Sequence, residues 1–501
     1  MIDNKLLILI VAYNAEETLE NIINRIPEKL LDDSTWETEI LVIDDASQDN
    51  TFHIGKKCQL YNAKVTVLKN PVNQGYGGNQ KLGYHYALKH GFSVVALIHG
   101  DGQYAPEKLL ELISPFADKK YAAVFGTRMG IRGDALKGGM PLYKYIGNKI
   151  LTLIQNTLAG TNLTEYHSGY RLYSCEALAQ IPFELNSNGF DFDTDIILQL
   201  HRAKLSIVEL PIPTFYGNEI CYVNGVQYGI KIITTTLLFA LQDKGIFYQP
   251  KFDLEEDNTH YTPKFDFCSS HSMALDCVTK GDHVLAIGSG PAVVLKPFTK
   301  IAESILAIDC FVEDDLKDIA NKTIEVDVKS FDFNSFDASE SFSKVLALDI
   351  IEHLDDPEMF LEKMRNSDAL ANTEFMFTTP NVAFFPIRLM LLLGNFSYGK
   401  KGILDKTHCR LFTFKSFRQL LEERGFQIIE EKGIPAPFPL ALGRNWLSNL
   451  LLNINLFATK LSKGMFSYQI FVRARPQPTL AQLMHKTHTY TSGLEKGLTD
   501  V

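Results

Sequence analysis

Residues 97–104, Leu-Ile-His-Gly-Asp-Gly-Gln-Tyr, take an apolar run directly into an acidic turn flanked by two glycines. The run is a buried strand, and the turn at its end suits a divalent metal and a diphosphate. Asp101 offers a hard carboxylate oxygen, Gln103 follows at i+2, and Gly100 and Gly102 let a phosphate approach the backbone. Asp-Gly is equally an ordinary turn signal, so the surroundings decide. Working outward, apolar runs at 6–12, 39–43, 63–69 and 93–98 alternate with helical patterns at 15–25 and 80–89. That rhythm predicts a parallel α/β sheet with ligands gathered at the carboxyl ends of its strands. Two more polar stretches fall at such ends: Tyr13-Asn14 before Glu16 and Glu17, and Asp44-Asp45-Ala-Ser-Gln-Asp-Asn-Thr at 44–51. Helix capping accounts for Ser47 or Asp49, but not for two acids emerging together from a buried strand.

A length of 501 residues predicts two or three domains, and 46% hydrophobic content is ample for sizeable cores and excludes a disordered chain. The formal charge of -10 and pI near 5.8 argue against a nucleic-acid partner, which needs clustered Lys and Arg. Cys58, Cys175, Cys221, Cys268, Cys277, Cys310 and Cys409 form no Cys-x-x-Cys pair, and their odd number suggests reduced, buried thiols in a cytoplasmic protein. The first apolar run lacks the charged lead and cleavage site of a signal peptide. Apolar stretches at 232–241, 384–393 (broken by Arg388) and 446–458 fall short of the roughly 20 residues that span a bilayer. Each is a buried helix or an interfacial one that meets a lipid acceptor. The chain is therefore expected to be soluble, or peripheral at the inner face of a membrane, with no transmembrane helix.

Seven motifs in order extend the pattern: Val-Ala-Tyr-Asn-Ala-Glu-Glu (11–17), Ile-Asp-Asp-Ala-Ser-Gln-Asp-Asn-Thr (43–51), Asn-Gln-Gly-Tyr-Gly-Gly-Asn (73–79), His-Gly-Asp-Gly-Gln-Tyr (99–104), Phe-Gly-Thr-Arg (125–128), His-Ser-Gly-Tyr-Arg-Leu-Tyr (167–173) and Val-Glu-Leu-Pro-Ile-Pro (208–213). On these, residues 5–240 resemble a family 2 glycosyltransferase close to the dolichol-phosphate mannosyltransferase group. The resemblance implies a nucleotide-diphospho-sugar transferase fold of the GT-A type, a nucleotide-sugar donor and a polyprenyl-phosphate or cell-surface glycan acceptor. It implies that Tyr13 and Asp44 or Asp45 border the base and ribose, and that Asp101 and Gln103 hold Mg2+ or Mn2+ at the diphosphate. Arg128, Arg132 and Arg171 would serve the donor, guanidinium being suited to phosphate. The usual Asp-x-Asp is His99-Gly100-Asp101 here, so His99 or a water takes the place of one acid. An alcohol acceptor needs a general base, whereas a phosphate is already ionised. Candidate bases are Glu165, Asp191, Asp193 and Asp195, the last three also readable as acids at a helix N-terminus.

Past residue 245 the pattern dissolves, and 246–265 reads as an exposed linker. A new strand and Gly-rich turn follow at 282–292, Asp-His-Val-Leu-Ala-Ile-Gly-Ser-Gly-Pro-Ala; then come runs ending in Asp309 and Asp327, and further strands at 344–348 and 374–380. A lone Gly-x-Gly is weak evidence of a nucleotide pocket, and the sequel strengthens it. Residues 266–478 resemble a class I S-adenosylmethionine-dependent methyltransferase, and 402–413, Gly-Ile-Leu-Asp-Lys-Thr-His-Cys-Arg-Leu-Phe-Thr, with Gly425-Phe426, matches a bacterial subgroup. The resemblance implies Gly288 and Gly290 at the methionine part of S-adenosylmethionine, Asp309 at the ribose and Asp327 at the adenine. It puts Asp405 and His408 where a residue that deprotonates the substrate stands; His408 also reads as a structural hydrogen-bond partner. Ala286 replaces the acid usually found two positions before the first glycine, Pro291 intrudes, and Ala292 replaces the third glycine. The expected protein is thus two doubly wound, Rossmann-like α/β domains: a glycosyltransferase at 1–245 and a methyltransferase-like domain at 266–478 that methylates the sugar or a related group, with a frayed polar tail at 479–501. Ala286 and Ala292 favour an alternative in which the second domain is a non-catalytic docking module.

Overall fold

A computed structural model of the protein describes residues 4–32, 35–118, 120–215, 224–242, 248–254, 263–336, 340–480, 482–484 and 487. The chain forms two compact units, 1–257 and 258–501. The first is built on β1 (Lys5–Ala12), β2 (Glu37–Asp44), β3 (Val65–Lys69), β4 (Val94–His99), β5 (Ala123–Thr127), β6 (Arg171–Ser174) and β7 (Ile207–Pro211), in the order β3-β2-β1-β4-β6-β5-β7. Leu6, Ile8 and Ile10 of β1 face one core with Leu19 and Ile22, while Leu7, Leu9 and Val11 face another with Tyr84 and Phe192. Burial on both faces is why this strand is continuously apolar rather than alternating. Each such Leu or Ile contributes about 1.5–3 kcal/mol of burial.

The sheet is mixed, which corrects the expectation of a purely parallel one: β6 runs antiparallel to both β4 and β5. Because Leu97 pairs with Arg171, residues 167–170 lie just beyond the carboxyl end of β4, beside His99. The reversed strand thereby delivers the motif at 167–171 to the same edge as the turn at 99–103. The crevice between the diverging β1–β2 and β4 crossovers is where α/β sheets bind ligands.

Residues 248–254 are not an exposed linker. Phe252 is fully buried with its ring centroid 5.1 Å from that of Phe239, and Lys251 Nζ lies 2.7 Å from Asp195 Oδ1. A single aromatic anchor fixes a segment whose composition is otherwise polar.

The second unit has β8 (His283–Ile287), β9 (Ser304–Asp309), β10 (Lys322–Glu325), β11 (Lys344–Leu348), β12 (Glu374–Pro380), β13 (Phe426–Ile434) and β14 (Gln469–Pro476). Their order is β10-β9-β8-β11-β12-β14-β13, parallel except that β14 is antiparallel to β12 and β13. Among the described residues no helix is long and apolar enough to cross a membrane. The three apolar stretches are nonetheless not simply buried. In the helix Gly225–Gln242, Ile232 and Phe239 are buried while Leu237 is exposed; Leu391 and Leu392 of the helix Phe385–Leu392, and Trp446, Ile454 and Phe457 of the helix Trp446–Leu461, are exposed too. Cys310 and Cys409 are exposed, against the expectation of buried thiols, and Cys221 lies outside the described residues. Gln477 N donates to the Gly425 carbonyl and Gln482 Nε2 to Asp368, while most of the tail expected at 479–501 lies outside the described residues.

Candidate active site

Two strand-end loops of the first unit are zipped together. Asn14 N donates to Ser47 Oγ, Ala15 N to Thr51 Oγ1 and Glu16 N to Asp49 Oδ2, while Gln48 N and Asn50 N donate back to the side chains of Asn14 and Glu16. Asn14 (φ 47°) and Ala46 (φ 60°) adopt the left-handed conformation that non-glycine residues hold only where their surroundings enforce it. Tyr13 projects from this zipper 46% exposed. The paired acids behind it differ. Asp44 is buried, accepts from Ser47 N at 2.9 Å and has Lys69 Nζ 3.3 Å from its Oδ2. Asp45 is wholly engaged with the loop of 70–75, accepting from Asn70 Nδ2 (2.7 Å), Gln74 N (2.8 Å) and Gly75 N (3.0 Å). Its place in the fold is to set that loop, not to reach a nucleotide.

The turn after β4 joins a relay that the sequence motifs did not disclose. Tyr76 Oη donates to Asp193 Oδ2 at 2.9 Å and lies 3.2 Å from His99 Nε2. Burial first, and then the Asp193 carboxylate, push the Tyr76 phenol well above its usual range, so it remains an O–H donor. With that hydrogen committed to Asp193, His99 must present N–H from Nε2 and keep a lone pair on Nδ1. Burial also holds the His99 imidazole below its ordinary pKa, against the pull of Asp101 and Asp193, so the ring is neutral. Tyr76 and Tyr104 clamp its edges. Gly169 completes the clamp: a Cβ there would stand 2.3 Å from His99 Cε1. The exposed Asp101 accepts from Gln103 N at 3.0 Å on Oδ1 alone, and the half-buried Gln103 leaves its amide unengaged. A neutral imidazole nitrogen and a free carboxylate oxygen on one turn are a donor set that fits a divalent cation.

Several sequence candidates are structural. Glu165 is buried and meets Arg128 through Nε, Nη2 and the backbone N, and Asn148 Nδ2 at 2.8 Å. Burial raises its carboxyl, but Arg128 outweighs this and holds it below the usual range, which disqualifies it as a base. Arg171, 1% exposed, donates to the carbonyls of Ser168, Asp193 and Tyr166, packs over the Phe125 ring and has no reach to a donor. Asp195 is likewise closed in, held by Ser187 N and Lys251. Asp191 meets Ser187 Oγ and Lys231. Only Asp193 of that trio belongs to the relay, and its buried Oδ1 has no hydrogen bond, the Arg171 guanidinium standing 3.7 Å away. Arg132 is exposed and has no hydrogen-bond or ion-pair partner among the described residues. His167, to which sequence reasoning gave no role, contacts Tyr228 Oη at 3.0 Å through Nδ1, leaves Nε2 buried without a partner, and is pushed down to about 4 by burial.

In the second unit Asp309, half-exposed at the end of β9, accepts from Gly290 N at 2.8 Å and Phe311 N at 3.2 Å, closing the Gly-rich turn. Nothing lies within 4 Å of a Cβ at Gly290, an open cradle that fits a nucleoside ligand beside Asp309. At Gly288 the Ile350 side chain stands where a Cβ would go. Asp327 is exposed and accepts from Lys329 N. Asp405 engages Thr407 through both its N and Oγ1, and His408 Nδ1 meets the Ile403 carbonyl at 2.9 Å.

Residues 7–181 match the family model for glycosyl transferase family 2, and residues 262–431 a methyltransferase domain model. The UDP-N-acetylglucosamine–dolichyl-phosphate N-acetylglucosaminyltransferase of Methanococcus voltae is 29% identical over 255 residues, 48% of this chain and 98% of that protein. The undecaprenyl-phosphate mannosyltransferase of Micrococcus luteus is 30% identical over 217 residues, 43% of this chain and 85% of that protein. The polyprenol monophosphomannose synthase of Mycolicibacterium smegmatis is 28% identical over 220 residues, 43% and 78% respectively.

Proposed function

The chain belongs to glycosyl transferase family 2, with a methyltransferase domain joined to it, and on that premise we propose that its first unit transfers a sugar from a nucleotide-diphosphate donor to a polyprenyl phosphate. The observation that carries this reading is the relay from Asp193 through Tyr76 to His99, which fixes the tautomer of a histidine two residues from Asp101 on the same turn. His99 and Asp101 would hold a divalent cation, Mg2+ or Mn2+, which would supply stabilisation of the charge developing on the leaving diphosphate. Tyr13 stacks on the base, Asp44 accepts from the nucleoside, Gln103 completes the turn, and the unpartnered Arg132, with Arg128 behind it, meets the diphosphate. A phosphate acceptor arrives ionised, so no base is required, and Asp193 acts as a positioning residue for His99.

The acceptor's lipid is matched by apolar surface flanking this edge. Leu142, Ile146, Ile150 and Leu153 form one exposed stripe on the helix Leu142–Ala159, whose Asn148 holds Glu165; Val226 and Ile230 lie exposed on the helix Gly225–Gln242, whose Tyr228 meets His167. Such faces suit an isoprenoid chain at the inner surface of a membrane. Incubating the full chain with UDP-N-acetylglucosamine, UDP-glucose or GDP-mannose, undecaprenyl phosphate and Mn2+ tests this. Formation of a glycosylated lipid with at least one donor is expected, and none with any donor overturns it.

For the second unit the proposed activity is methylation of the transferred sugar or a related acceptor. Gly290 and Asp309 would hold S-adenosylmethionine, which supplies an electrophilic methyl group, and Asp327 would border the adenine. Ile350 above Gly288 favours the second reading, a docking module without turnover. Calorimetry separates them: binding of S-adenosylmethionine that Asp309→Ala abolishes supports methylation, and no binding supports docking.

A further inference from the structure

The turn after β11 carries a site that the proposed sugar transfer does not use. Glu352 and His353 lie on the 3-10 turn Ile351–His353, and the Glu352 carbonyl accepts from both Cys409 N (2.8 Å) and Arg410 N (3.0 Å). That pair of bonds clips residues 408–410 over the turn and brings His408 to His353, ring centroids 4.8 Å apart and nearly perpendicular. His353 Nδ1 faces the Thr407 carbonyl at 3.2 Å and His408 Nδ1 faces the Ile403 carbonyl at 2.9 Å. A carbonyl can only accept, so both rings carry their proton on Nδ1 and present an Nε2 lone pair. This backbone-carbonyl support is the arrangement that orients metal-binding imidazoles.

Glu352 supplies the third donor and the strongest evidence. It is 1% exposed, and neither carboxylate oxygen makes a hydrogen bond of good geometry among the described residues; the Thr379 hydroxyl stands near enough to favour the charged form, and no cationic side chain offsets it. Asp349 does not relieve it, since its own carboxylate accepts from Thr378 Oγ1 and Gln469 Nε2. An ionised carboxylate so enclosed requires either a proton or a cation. Asp349 holds a left-handed φ of 57° two residues before the turn, strain that persists where the geometry beyond it is enforced.

We propose that Glu352, His353 and His408, whose ligand atoms lie within 4.8 Å of one another, bind one divalent transition-metal ion, Zn2+, Mn2+ or Fe2+. Two imidazole nitrogens and one carboxylate oxygen are a set suited to those ions rather than to Ca2+ or Mg2+. Three protein ligands would leave a coordination position open for water or a substrate hydroxyl. His408 Nε2 is then a ligand and not a proton acceptor.

The site is independent of sugar transfer and is tested without turnover. Full-length Asp101→Ala, which removes the cation position of the first unit, is stripped with a chelator and titrated with Zn2+ and Mn2+ by calorimetry. One ion per chain is expected. Adding Glu352→Gln or His408→Ala to that background weakens binding by at least about 10-fold. Cobalt(II) gives a second readout: the parent acquires visible absorption that His408→Ala loses. Thermal unfolding in chelator guards against misfolding, since parent and variants should melt alike there and only the parent should rise with Zn2+. Absence of binding to the parent, or binding unchanged in both variants, overturns the proposal.

Discussion

Replacing Tyr76 with Phe removes one oxygen and separates two consequences. The hydroxyl lies 2.9 Å from Asp193 Oδ2 and 3.2 Å from His99 Nε2, so its loss leaves a buried carboxylate whose other oxygen already lacks a hydrogen bond. Stranding a buried acceptor costs about 1–3 kcal/mol. For a unit of this size each kcal/mol lowers Tm by roughly 2–4 °C, so a fall of about 2–12 °C is expected. The second consequence is chemical. Without Tyr76 to accept from it, His99 is no longer held with its proton on Nε2, and loss of such an outer partner weakens a metal site by about 10–100-fold. Transfer by the Tyr76→Phe protein, followed against Mn2+ concentration at saturating donor, should show its midpoint raised about 10–100-fold, with much of the rate recovered at high Mn2+. A protein that melts lower but keeps the parental Mn2+ midpoint would refute the role given to His99, because the relay would then be packing alone.

Gly169→Ala places a methyl 2.3 Å from His99 Cε1, and overpacking of this kind costs about 1–3 kcal/mol; urea unfolding should show that loss together with impaired transfer, and intact transfer would mean that the ring can shift harmlessly. Lys251→Ala strands the buried Asp195 and should cost about 3–5 kcal/mol by the same measurement, although 248–254 looks like a linker; a loss under 1 kcal/mol contradicts the anchoring. Asp45→Ala frees three donors of 70–75, so limited proteolysis should cut there first. His167 is depressed from 6.5 to about 4, so the unfolded chain takes up its proton first as pH falls. Stability is therefore full above pH 6.5 and declines between 6.5 and 4 by up to about 3 kcal/mol, a slope that His167→Gln should flatten.

Strands were legible because β1, β2 and β4 are buried on both faces and read as unbroken apolar runs. Direction was not: β6 is four residues long, and nothing in Arg-Leu-Tyr-Ser reveals that it enters antiparallel between β4 and β5. Asp101 and the strand-end acids could be picked out as candidates because their chemistry is local to their turns. Its wiring was not, since Tyr76, His99, Gly169 and Asp193 are far apart in the chain and meet only through the sheet. Residue type misled at Glu165 and Arg171, because a charged side chain in a motif reads the same whether it faces a ligand or, as here, closes a buried network. Glu352 and His353 adjoin in the sequence, but only the fold brings His408 to them.

The most direct test of the central claim compares the parent with Asp101→Ala for transfer of labelled sugar from the nucleotide donor to undecaprenyl phosphate, with S-adenosylmethionine binding measured on the same samples. Loss of transfer in Asp101→Ala with methyl-donor binding unaltered is the predicted result, and full transfer by Asp101→Ala would contradict the assignment of the site.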